Sequence, residues 1–294
     1  MKFQHVLLLV FLWNVSLFSE QDEAFFETQR KRLSSSDIFE IRDAIDRLTF
    51  IKSNRGYRDI LSALEGTPNF PTSENNAPAV KFYAAKALAK KGDKIAIPVL
   101  IKTFQKESAS IIEYNPPKVR KISDGVADRH STSSPYFYGD GEISIVLACG
   151  EMLRALGSLP TTESSEQTIK QALSHPNFYI RSSAADAMYE SDRKVWISSL
   201  ADGLGKEQVP YAKISILSAI VGLERLPNQN FKAVTEMLSH DDPEVRKKAS
   251  QALRRLDLRI AAPYLEKAIL VENHPNVLSQ MKEDHSYLIS FRYP

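Results

Sequence analysis

The chain is predicted to be all-α, a right-handed solenoid of about six or seven stacked helix pairs, on three observations. First, four prolines stand two residues before an apolar position, as Pro78-x-Val80, Pro210-x-Ala212, Pro243-x-Val245 and Pro275-x-Val277. In the first three a base follows (Lys81, Lys213, Arg246), then small or apolar residues at offsets +4, +5, +7 and +8 from the apolar position. Second, segments starting at Ile145 and Ile180 share this register without the proline. Positions 145, 180, 212, 245 and 277 are 35, 32, 33 and 32 residues apart, and the 65 residues from 80 to 145 are about two repeat lengths. Third, Pro98 stands 18 residues after Val80 and Pro263 stands 18 after Val245. An offset shared by two such distant prolines marks a repeated two-helix unit.

Taken in order, the first pair is divergent. Ile41, Ile45 and Leu48 share one helical face after Asp37 and Glu40, a spacing that resembles a capping box, and Ile60, Leu61 and Leu64 carry the partner helix. The unit at Val80 is clearer: Ala84, Ala85, Ala87 and Leu88 lead to a turn at Gly92-Asp93, and Ile97-Pro98-Val99-Leu100 opens the second helix. At Ile180 the same plan gives Ala184, Ala185, Ala187 and Met188, with Val195, Trp196, Leu200 and Leu204 on the partner. The unit at Pro243 has Asp242 as N-cap and proline in the first turn, where its missing N–H costs nothing. Val245, Ala249, Ala252, Leu253 and Leu256 then form one face, and a turn near Asp257 precedes Ala262-Pro263-Tyr264-Leu265. Val277 to Leu288 is a degraded last helix, as expected of an end unit that faces water on one side.

The tetratricopeptide and ankyrin signatures are missing from these units. Asp242-Pro243-Glu244-Val245-Arg246-x-x-Ala249-x-x-Ala252-Leu253 and Ala87-Leu88-x-x-x-Gly92-Asp93-x-x-Ala96-Ile97-Pro98-x-Leu100 resemble HEAT repeats of the short phycobilisome-lyase type. The resemblance covers roughly residues 38 to 290. It implies the fold, but that family serves scaffolds, adaptors and a few enzymes, so it implies no single activity.

Charge is nearly balanced, with 38 basic against 36 acidic residues and a formal net charge of +2, which argues against nucleic acid as a partner. The one cysteine, Cys149, excludes an intrachain disulfide and occupies a small packing slot in a repeat helix. Residues 1–19 are read as a signal peptide. Lys2 and His5 precede an apolar run from Val6 to Phe18 that suits an export signal and is too short to span a bilayer. The expected location is therefore a bacterial periplasm or cell exterior, with no transmembrane segment in the mature chain. The alternative for this run is a buried N-terminal helix.

Residues 20–37 are expected to be a lead-in, 38–108 and 143–294 repeats with a C-terminal cap, and 109–142 an insertion loop. The insertion has no helical period and concentrates Tyr114, Tyr136, Phe137 and Tyr138 beside Lys118, Arg120 and Lys121. Two readings stand: an aromatic and basic recognition loop for a protein or peptide, or a tether whose aromatics cover a helix end. Asp124, Asp128 and Asp140 lack the spacing of a calcium loop. His130 with Asp128 and Ser131 to Ser134 lacks the rigid frame of a catalytic triad. His175, His240 and His274 recur at equivalent turns, which repeat structure explains without a metal. No Gly-rich phosphate loop, nucleophile elbow or HExxH stretch is present.

The bases Arg42, Lys81, Arg181, Lys213 and Arg246 make a ladder along the first helices, read as a solvated stripe that snorkels or pairs with neighbouring carboxylates. The expected function is an exported protein-binding scaffold, without catalysis, cofactor or metal. Its concave surface is expected on the second helices, at Lys102, Gln105, Lys170, Gln171, Ser198, Asp202, Lys232, Glu236 and Glu266. The alternatives are a lyase-like or chaperone-like subunit of the bilin lyase type, or a structural envelope spacer.

Overall fold

Small polar residues and prolines start most of the helices. In the computed structural model, described for residues 23–51, 53–66, 77–111 and 144–290, α1 occupies 23–33. It is followed by α2 (Ile38–Phe50), α3 (Asn54–Glu65), α4 (Ala77–Lys91), α5 (Ala96–Ser108), α6 (Ile145–Ser158), α7 (Glu163–Ala172) and α8 (Phe178–Glu190). Then come α9 (Trp196–Lys206), α10 (Pro210–Glu224), α11 (Gln229–Glu236), α12 (Pro243–Leu256), α13 (Ala262–Val271) and α14 (Pro275–Ser290). Asp242 caps α12 by accepting the Glu244 N–H at 2.8 Å, with Pro243 in the first turn as expected. Asp37 caps α2 through the Phe39 N–H at 2.8 Å, whereas the reciprocal capping box forms at Thr162, whose partner is Ser165. Each such cap is worth about 1 kcal/mol. Gly92 and Asp257 end α4 and α12 in the left-handed region, with φ of 70° and 52°.

These helices make a HEAT-like solenoid: six pairs, α2/α3 to α12/α13, closed by α14. The first helices run as one continuous row, α2–α4–α6–α8–α10–α12–α14, each packed on the next. Ala85 and Ala249 are fully buried in this row, and Ala252 nearly so, which confirms the helical register read from the repeat. Three glycines, Gly150, Gly157 and Gly222, mark the closest packing in the row. A Cβ on Gly157 would lie 2.2 Å from the carbonyl oxygen of Ala187, and one on Gly222 would lie 2.1 Å from the Tyr189 ring. α10, in mid-row, is buried almost all round, as an apolar helix between two neighbours must be. Cys149 is fully buried in α6, and that burial pushes its thiol up to about 12, with Glu107 adding to it.

The second helices behave differently. α7, α9, α11 and α13 make few contacts with one another, so their row is splayed while the first row is tight. A stack curves toward its tighter row. The first helices therefore line the inner face and the second helices the outer, which corrects the sequence-based placement of the concave surface. The nine positions from Lys102 to Glu266 are all exposed, but they belong to the outer row. Val195, expected to pack with Trp196 and Leu200, is 61% exposed at the start of α9.

Residues 23–33, expected as part of a lead-in, form a helix that buries Phe26 and Leu33. Arg30 on it meets the buried Asp59 of α3 at 2.8 Å, so α1 seals the N-terminal end of the stack. Among the described residues, no helix is long and apolar enough to cross a membrane.

Candidate functional site

The seven residues Tyr114, Lys118, Arg120, Lys121, Tyr136, Phe137 and Tyr138, the Asp124, Asp128 and Asp140 set, and the His130 segment all lie outside the described residues, as do residues 1–19. The described part of the chain concentrates its unusual side chains elsewhere, on the inner row.

The base ladder resolves first, and it is structural. Arg181 and Arg246 each pair in two-pronged fashion with a glutamate 26 residues further on, at the end of the second helix of the same repeat. The closest approaches are 2.7 Å to Glu207 and 2.6 Å to Glu272. The free prong of Arg181 donates to the carbonyls of His175 and Pro176, and that of Arg246 to those of His240 and Asp241. Both glutamates also accept a backbone N–H, from Val209 and His274 respectively. Lys81 and Glu107 make a simpler version at 3.2 Å. Arg42 is exposed and, among the described residues, pairs with Asp46 at 3.7 Å on its own helix. At three of its five positions, Lys81, Arg181 and Arg246, the ladder thus clasps a repeat shut at its turn. His175 and His240 serve the same turn, their Nδ1 atoms accepting the N–H of Asn177 and Asp242 at 3.0 Å. Among the described residues, no group of three His, Cys, Asp or Glu side chains is placed to hold a metal.

The second feature lies across repeats. Asp186 of α8 is nearly buried, its side chain 4% exposed, and three cations from two other repeats converge on it. Arg255 donates to its Oδ1 at 2.6 Å, Lys248 to its Oδ2 at 3.4 Å, and Arg154 Nε lies 3.8 Å from Oδ2. Burial opposes the charge on Asp186, but the fields of Arg255, Lys248 and Arg154 outweigh it and hold the carboxyl well below the usual range. Burial likewise holds the Lys248 ammonium down to about 8, with Asp186 offsetting part of that and Arg255 and Arg154 deepening it.

Tyrosines complete the cluster. Arg154 donates to the Tyr179 hydroxyl at 3.2 Å and to Glu151 at 2.7 Å. The rings of Tyr179 and Tyr211 stack at 6.2 Å, and Lys248 Nζ lies 5.2 Å from the Tyr211 centroid. The Arg255 guanidinium lies over the Tyr189 ring at 4.7 Å, and the Tyr189 hydroxyl donates to the Arg255 carbonyl at 3.1 Å. These bonds link α8 to α12 across the intervening α10. Such reach is available only on the inside of the curve.

The sequence signal for this site is faint but present. Asp186 is a lone acid between Ala185 and Ala187 on a helix whose neighbouring positions are buried. Register offset +6 carries Lys86, Glu151, Ser218, Gln251 and Glu283 in the other units, so this position is polar throughout the repeat. Nothing in the sequence pairs position 186 with 248 or 255.

A family model described as the PBS lyase HEAT-like repeat matches residues 80–106, the α4/α5 unit. That unit is a HEAT-like repeat. The match covers one of the repeats seen in the structure, the one carrying the Lys81–Glu107 clasp. Among solved structures, one similar to this HEAT-like chain is the complex of CpcE and CpcF of phycocyanin lyase from Nostoc sp. PCC7120. The likeness has a TM-score of 0.52 and 14% sequence identity, and covers 90% of this chain and 94% of that one. At that identity it establishes the shared solenoid fold. The comparison with curated proteins finds no match.

Proposed function

We propose that this HEAT-like protein is a binding scaffold that receives a protein partner on its inner face. The observation that carries this reading is the Asp186 cluster. Charged and aromatic side chains of three repeats are gathered there on the concave row, and the Lys248, Arg255 and Arg154 side chains remain 14%, 25% and 28% exposed. Tyrosine and arginine held rigidly by neighbours are the residue types that anchor protein interfaces, because little side-chain entropy is lost on binding. The similar structure from Nostoc is itself a complex of two proteins, which accords with a partner here. In this reading the aromatic and basic residues of the insertion at 109–142 contribute to recognition as well.

The test is site-directed photo-crosslinking in a bacterial host, with a benzophenone amino acid at Gln251 on the inner row or at Gln171 on the outer row, both exposed. A discrete protein adduct from Gln251 and none from Gln171 is expected. Adducts from Gln171 alone would move the site to the outer row, and adducts from neither would count against a scaffold role.

The apolar run from Val6 to Phe18 motivates a further part of the proposal, that the scaffold works outside the cytoplasm. Deleting residues 1–19 is expected to leave helicity by circular dichroism unchanged and to retain the protein in the cytoplasmic fraction. Loss of helicity would show that these residues belong to the core instead.

A further inference from the structure

We propose that the cluster around Asp186 is the seat of one acidic side chain, an aspartate or glutamate, supplied by the polypeptide that binds the inner face; this rests on the scaffold reading above. The first ground is charge. Arg154, Lys248 and Arg255 are three cations, and the carboxylates that meet them are Asp186 and Glu151, so one positive charge is left over. Glu244, which also acts on Tyr211, is matched by Lys247 at 3.9 Å, and of the acids that act on Tyr189, Asp192 is paired with Arg225 while Glu190 and Asp257 are exposed, so none of them cancels the excess within the cluster. A half-buried surplus charge is costly where water is limited, and a single incoming carboxylate removes it.

The second ground is unused hydrogen-bonding capacity. Asp186 offers two oxygens and satisfies only Arg255 at short range, leaving Lys248 at 3.4 Å and Arg154 Nε at 3.8 Å. Arg255 Nε is buried with no acceptor among the described residues, though Nη1 and Nη2 are engaged by Asp186 and Ser218. Arg255 Nε is itself closed to solvent, but Lys248 and Arg154 are partly exposed and only loosely held by Asp186, so an incoming carboxylate has donors it can reach and the lone pairs to meet them.

The third ground is shape. Each donor rests against a tyrosine, Arg154 on the Tyr179 hydroxyl, Lys248 near the Tyr211 ring and Arg255 over the Tyr189 ring, and such rings suit the stem of a side chain and its peptide planes. A phosphate would bring close to two negative charges against a surplus of one and would face Asp186 at short range. A monoanionic carboxylate fits the count. The low position of the Lys248 ammonium accords with this, since a bound anion returns it toward the ordinary lysine range.

The experiment is a titration of the full chain with three probes followed by fluorescence anisotropy. The probes are a labelled glutamate-rich octapeptide with an amidated C-terminus, its glutamine counterpart with a free C-terminal carboxylate, and inorganic phosphate as competitor. Only the amidated glutamate peptide is expected to bind, with affinity falling as sodium chloride is raised to about 0.5 M. Lys248→Gln is expected to weaken binding tenfold or more, and Lys248→Arg to keep it within a few fold, with helicity unchanged in both. Arg154→Gln is a second variant, read in the same way should Lys248→Gln fail to fold.

Equal binding of the glutamine peptide would assign the site to a C-terminal carboxylate or to no charge at all, and full competition by phosphate would make it a phosphate site. Either result overturns the proposal, as does binding that Lys248→Gln and Arg154→Gln leave intact. The scaffold reading is judged apart, by the crosslinks from Gln251, which do not depend on these peptides.

Discussion

Replacing Asp186 by alanine is expected to lower the stability of the protein at pH 7 by about 3 kcal/mol, the lower end for loss of one partner from a buried ion cluster. The carboxylate is the common anchor of Arg255, Lys248 and Arg154, so its removal leaves three cations facing one another with Glu151, on Arg154, as the remaining paired carboxylate among the described residues. The lower end applies because those cations keep enough exposure to regain some hydration. On ordinary two-state scaling the melting midpoint falls by roughly 6–12 °C. The pH dependence has a definite sign. The Asp186 carboxyl is held below its unfolded value, so its contribution is complete above the ordinary aspartate range and is lost as pH falls below about 4. The gap between wild type and Asp186→Ala in thermal melts should therefore be widest near neutral pH and narrow in acid. An equal gap at pH 7 and pH 3 would mean that the carboxylate contributes through packing and not through its charge.

Gly157→Ala is expected to destabilise by about 3 kcal/mol, at the upper end of the usual cost of overpacking. The added Cβ would meet the Ala187 carbonyl oxygen at 2.2 Å and its Cα at 2.7 Å, and both are backbone atoms of α8 that no rotamer change can move. The result opposes local propensity, since alanine in place of a helical glycine ordinarily gains up to about 1 kcal/mol. Gly205 supplies the control. It lies on α9 with nothing within 4 Å of a Cβ placed there, so Gly205→Ala should be neutral or stabilising. If both glycine variants melt at the wild-type temperature, α6 and α8 are not packed as closely as described.

The Gly157 and Asp186 cases show where reading the sequence succeeds and where it stops. Asp242, Pro243, Gly92 and Asp257 act as the start and stop signals that their types suggest, because capping and left-handed turns are decided within a few residues. The burial of Ala85 and Ala249 follows from a period that one helix face must satisfy. The Arg181–Glu207 and Arg246–Glu272 clasps were half legible. The bases stood out at one register position, but their glutamates recur only 26 residues later and were not singled out. α1 belongs to no repeat, so the repeat period carries no sign of it.

Repetition of a short-range pattern was enough for the sequence alone to determine that this chain is a stack of helix pairs, with which residues facing inward within each helix. Which row of helices forms the inner face was left to the tertiary structure, because curvature depends on how closely whole helices approach, and Gly157 and Gly222 act only against particular neighbours. The same holds for the candidate site. Asp186 meets Lys248 and Arg255 from 62 and 69 residues away, across an intervening repeat, and no local rule of spacing relates residues brought together by the bend of a solenoid.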